Sequence, residues 1–100
     1  MELKRLKEQA IAELQNLEKE KNETPKSKRS DDWKSWVHQV TMNSKRMIEV
    51  VEITERMTAE EKAQIRETPV FQEDIRFLKP IKDKYELSWN EIKMLIRSDI

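Results

Sequence analysis

The chain has no glycine among its 100 residues, and this absence narrows its possible folds more than any residue it contains. Tight hairpins, strand bulges and phosphate-cradling loops lean on backbone positions with positive φ, which glycine takes without steric cost. Asn, Asp, Ser and Pro can still turn a chain. A hairpin-rich β fold, a P-loop or a dinucleotide-binding loop is nonetheless poorly served, and the composition points to helices.

Charge density raises disorder as a rival. Charged residues are 40% of the chain and hydrophobic ones 36%, and too little apolar surface cannot offset chain entropy. The formal net charge is zero, however, and the apolar residues cluster at helical spacing. A folded chain of one modest core is expected. Cysteine is also absent, which removes disulfides, thiolate nucleophiles and thiolate metal sites. The opening MELKRLKEQAIAELQ lacks the apolar stretch of a signal peptide, and no run is long enough to span a bilayer. These features predict a cytoplasmic protein, or a nuclear one in a eukaryote, without a membrane partner.

Leu3, Leu6, Ala10, Leu14 and Leu17 recur at three- and four-residue steps, the seam of an amphipathic helix over residues 1–22. Mixed charge surrounds the seam, as in two to three heptads of coiled coil. So short a helix is barely stable alone in water, so the seam calls for a partner, within the chain or in a second copy. Residues 23–30, with Pro25, Lys26, Lys28 and Arg29, read as a basic, flexible linker. That cluster also matches a small nuclear-import or nucleic-acid patch, though a solvated linker accounts for it.

Residues 31–100 read as a helical bundle domain. Ser30 or Asp31 caps a long helix. Trp33, Trp36, Val37, Val40, Met47, Ile48 and Val51 form one stripe of it, and Met42, Val50, Ile53 and Met57 a second face. Apolar on two sides, its second half is expected at the domain centre. Thr58 and Glu61 make a capping box that starts a short helix, and Ser88 and Glu91 make another, with Leu87 and Ile92 as a hydrophobic staple. Between them, Thr68–Pro69 predicts a further helix bearing Val70, Phe71, Ile75, Phe77 and Leu78, with Pro80 ending it. The fold class expected is all-α: an irregular bundle of about five helices, with an amphipathic, coiled-coil-like helix at the N-terminus.

Catalytic chemistry finds little footing. His38 is the only histidine, with no carboxylate three or four residues away to orient it. Glu49, Glu52 and Glu55 are the nearest approach to a carboxylate metal set, and a solvated helix face explains them. Glu60–Glu61 and Glu73–Asp74 sit where helix dipoles favour acids. No enzyme activity, metal or cofactor is expected.

Binding through helix faces remains. The leucine seam is the firmest interaction element, because an exposed leucine stripe seldom stays unpaired. Trp33 and Trp36, just after the linker, serve either as core or as interface anchors. The reading is a non-enzymatic protein-binding module (an adaptor, assembly factor or stoichiometric inhibitor) acting through Leu3, Leu6, Ala10, Leu14, Leu17, Trp33 and Trp36. Its partner is another protein, or a second copy held through the first helix. The alternative is a small DNA-binding regulatory protein. Asn90, Lys93 and Arg97 would then face the major groove, since Asn and Arg read base edges well, with Lys82 and Lys84 on phosphates. The balanced charge weighs against it.

Overall fold

The computed structural model describes residues 2–98 and 100. Its five α-helices are α1 (Leu3–Glu23), α2 (Asp31–Arg56), α3 (Ala59–Arg66), α4 (Lys79–Lys84) and α5 (Trp89–Ile96). Two 3₁₀ turns, Lys26–Lys28 and Arg76–Leu78, complete the set, and the described residues form no strand. The protein is an all-α bundle.

Helices α1 and α2 form an antiparallel hairpin. Lys7 pairs with Glu52 and Glu55 at 3.7 and 3.8 Å, and farther along the Ser44 hydroxyl donates to Glu13 at 3.1 Å. The leucine seam is thus taken up within the chain: Leu3, Ala10 and Leu17 are buried, and Leu6 and Leu14 half-buried. The helix expected as a separate docking element belongs to the fold, because α2 covers the stripe that a second copy would have filled.

The segment expected as a flexible linker closes this hairpin as an ordered turn. A helix leaves its last carbonyls without partners, and the Arg29 guanidinium takes two groups at this end, donating to Lys21 O at 2.7 Å and Thr24 O at 3.1 Å. The same guanidinium lies 5.4 Å from the Trp33 ring centre, within cation–π range. Ser30 then caps α2, accepting the Trp33 amide at 3.1 Å.

One core gathers residues from all five helices and their connections. Leu3 enters from α1; Val50, Val51 and Ile53 from α2; Ile65 from α3; Ile81 from α4; Ile92, Leu95 and Ile96 from α5. Met57, Ile75, Leu78 and Leu87 fill it from the connections. The C-terminal half of α2 is central, as its two apolar faces predict. The remainder of the hairpin projects as a two-helix arm, and the molecule is elongated, 51 × 23 × 22 Å.

Both capping boxes form, with reciprocal bonds between Thr58 and Glu61 and between Ser88 and Glu91. Leu87 and Ile92 are both buried beside the second. The helix expected from Pro69 does not form. Gln72 N–H closes a turn onto Pro69 O at 3.0 Å, and Asp74 accepts from the Arg76 backbone and side chain at 3.1, 3.0 and 2.9 Å. An aspartate that bonds nearby backbone competes with the helical ladder, and here it sets up the Arg76–Leu78 turn instead. Pro80, expected to end that helix, lies at the start of α4, where its missing N–H costs nothing.

Candidate protein-binding surface

Three faces are candidates from the sequence, and the fold treats each differently. The leucine seam is spent on α2. At the tryptophan end, Trp33 is half-buried under Arg29, whereas Trp36 is 49% exposed. Trp36 shares a shallow depression with Leu17 and Val40, rimmed by Glu13 and Glu20. Trp36 thus has one apolar neighbourhood and one open side.

The stripe on α5 is brought together. Asn90, Lys93 and Arg97 are exposed and line a groove of about 640 Å³ with Leu6, Met94 and Ser98. Lys82 and Lys84 do not join them as free cations. Lys82 lies 5.1 Å from the Trp89 ring centre and 3.6 Å from Asp83. Lys84 donates to Glu61 at 2.9 Å.

Two polar networks hold α5 and its neighbours in place. Arg46 of α2 grips Glu91 through a two-point fork at 2.7 and 2.8 Å, donates to Glu86 O at 3.0 Å and pairs with Glu49 at 3.0 Å. The Arg46 hydrogen bond pulls the Glu91 carboxyl below the usual carboxylate range, against partial burial, and Glu91 in turn raises the guanidinium. At α3, the Tyr85 hydroxyl donates to Glu61 at 2.6 Å. With the Thr58 amide and Lys84, it holds that carboxyl down to about 2. These acids serve as struts. Three of the other acidic groups singled out behave similarly: Glu52 and Glu55 face Lys7, and Glu49 faces Arg46. Asp74 is lowered to about 2 by Arg76. His38 is exposed on α2. Among the described residues, no group of three or more His, Asp or Glu side chains is placed to hold a metal ion.

Among the described residues, the most exposed large apolar side chain lies on a segment that the sequence assigns to a helix and its core. Phe71 is 85% and Val70 60% exposed on the Pro69–Asp74 loop. Withdrawing a phenylalanine side chain from water is worth roughly 1.5–3 kcal/mol, and the chain gains almost none of this from Phe71. Val70 and Phe71 line a depression of about 290 Å³ with Ile96, Lys93 and Arg97. Lys93 and Arg97 therefore form a ridge between two hollows, a mainly apolar one at Leu6 and Met94 and a mainly polar one that Val70 and Phe71 share with Gln72 and Glu73. The clue in the sequence was Gln72-Glu73-Asp74 after Pro69, a polar stretch that favours a turn and strands the two apolar residues before it.

No helix among the described residues is long and apolar enough to cross a membrane. The chain matches no protein-family model, and no curated protein or solved structure matches it.

Proposed function

We infer that this chain is a non-enzymatic helical protein-binding module, an adaptor, assembly factor or stoichiometric inhibitor working in the cytoplasm or nucleus. The observation that carries this reading is the exposed Val70–Phe71 pair beside the α5 ridge. Large aromatic groups are enriched in binding hot spots, and contiguous exposed apolar surface marks interaction sites. Trp36 on the arm is a second anchor of the same kind. The isolated His38, and carboxylates committed to Arg46, Lys7 and Tyr85, support a role without chemistry.

A photo-cross-linking residue replacing Phe71 tests this in the native host. The expected result is a discrete cross-linked product, resistant to nuclease and destroyed by protease, that the same group at the exposed Gln15 does not yield. Matching products at both positions, or none at 71, would refute the reading.

DNA binding through Asn90, Lys93 and Arg97 keeps one supporting observation, their common exposure on one groove. The engagement of Lys82 and Lys84 leaves it few phosphate contacts. It predicts a salt-sensitive mobility shift of duplex DNA that weakens in K93A/R97A.

A further inference from the structure

This inference rests on the protein-binding reading and gives the partner its chemistry. We propose that the Lys93–Arg97 ridge receives an acidic peptide segment of another protein, whose bulky apolar side chains enter the Leu6–Met94 hollow on one side and cover Phe71 on the other. Lys93 and Arg97 are exposed, and among the described residues neither has an ion-pair partner. Among the described residues, Glu73 is the one acid lining either hollow. On one side of the ridge the hollow is mainly apolar, at Leu6 and Met94, and on the other the exposed Val70 and Phe71 side chains stand beside a hollow lined mainly by polar surface. A carboxylate over the ridge gains charge-assisted hydrogen bonds, with a guanidinium fork at Arg97. Apolar neighbours in the hollows would cover Phe71, which the fold leaves in water.

The spacing defines the partner further. Lys93 and Arg97 are four residues apart on a helix, about 6 Å along its axis. Two carboxylates match that distance at i and i+4 on a helix, or at i and i+2 on an extended strand, where the repeat is about 6.6 Å. A nucleic-acid backbone fits less well. It needs a longer track of cations, and the lysines that would extend this one are held by Glu61, Asp83 and Trp89.

Panning the full chain against a phage library of random peptides of about a dozen residues tests the proposal. Enriched peptides should carry two acids separated by one or three residues, with aromatic or aliphatic neighbours. Binding of the selected peptides, measured by fluorescence polarisation, should fall at least roughly tenfold in F71A and in K93E/R97E and weaken with added salt. All these positions are exposed, and unchanged circular dichroism confirms that the variants fold. Peptides lacking acids but still dependent on Phe71 would overturn the acidic chemistry and leave the protein-binding reading standing. No enrichment above blank wells would overturn both. Duplex DNA bound in a salt-sensitive manner and lost in K93A/R97A would overturn the proposal in favour of nucleic acid.

Discussion

Replacing Glu86 with glycine is expected to stabilise this protein, although it removes a side chain and introduces the most flexible residue. Helix α4 ends in a Schellman arrangement, with Leu87 N–H donating to Lys82 O at 2.9 Å and Glu86 N–H to Asp83 O at 3.3 Å. The motif requires a left-handed residue between them, and Glu86 supplies it at φ 54°, the only positive φ among the described residues. An L-residue with a Cβ pays roughly 1–2 kcal/mol for that conformation. Glycine relieves it and returns roughly 0.5–1 kcal/mol through the greater entropy of its unfolded chain. The bond from Arg46 goes to the Glu86 carbonyl, so the substitution keeps it. A net gain of about 0.5–1 kcal/mol follows, raising Tm by roughly 2–6 °C for a domain of this size. Thermal melts of wild type, E86G and E86A measure it, because alanine deletes the carboxylate while retaining the Cβ. The reasoning is refuted if E86G melts no higher than E86A, since the strain would then not reside in the backbone.

Arg46→Met should cost roughly 1–2 kcal/mol in urea unfolding. It retains the aliphatic stem but leaves the Glu91 carboxylate only its bond from the Ser88 amide, and partial exposure of both side chains keeps the loss below that of a buried pair. In an Glu91→Gln background the same change should cost distinctly less, and equal costs would show that the fork is not coupled. Glu61 should supply part of the acid sensitivity, beside Asp74 and Glu91. Its folded value of about 2 lies below the ordinary 4.5, so its contribution is complete above pH 4.5 and lost as pH falls toward 2. Urea midpoints for E61Q should therefore change less across that window than those of wild type, with Y85F between them because the Tyr85 hydroxyl is the largest cause of the shift. Parallel curves for wild type and E61Q would remove Glu61 as an acid-sensitive group.

The two capping-box helix starts were the most legible features, and the reason is locality. A capping box is closed by residues three apart, so Thr58–Glu61 and Ser88–Glu91 carry their structure in their own spacing. The leucine seam was legible as a stripe but not in its use, because the same spacing serves a second copy or a helix within the chain. Only the long-range pairing of Lys7 with Glu52 and Glu55, and of Glu13 with Ser44, decides between them. The misread helix shows two local signals in conflict. Phe71, Ile75 and Leu78 stand at helical intervals, yet Asp74 bonds its own neighbours, and the periodicity is satisfied by burial of Ile75 and Leu78 alone.

Charge illustrates the same limit more sharply, and it bears directly on the candidate surface. A net charge of zero weighed against any basic site, but a sum over the chain counts paired and unpaired ions alike. Folding sorts them. Lys84 is drawn to Glu61, Lys79 to Asp83, Lys7 to Glu52 and Glu55, and Arg46 to Glu91, so many of the acids that balance the total are consumed in struts. Lys93 and Arg97 are set beside Phe71 and Val70 instead, where the charge sum cannot register them. The functional contrast within this chain is therefore between cations that hold helices together and cations that the fold leaves on an apolar shoulder. It depends on three-dimensional neighbours at sequence separations that no local pattern reaches.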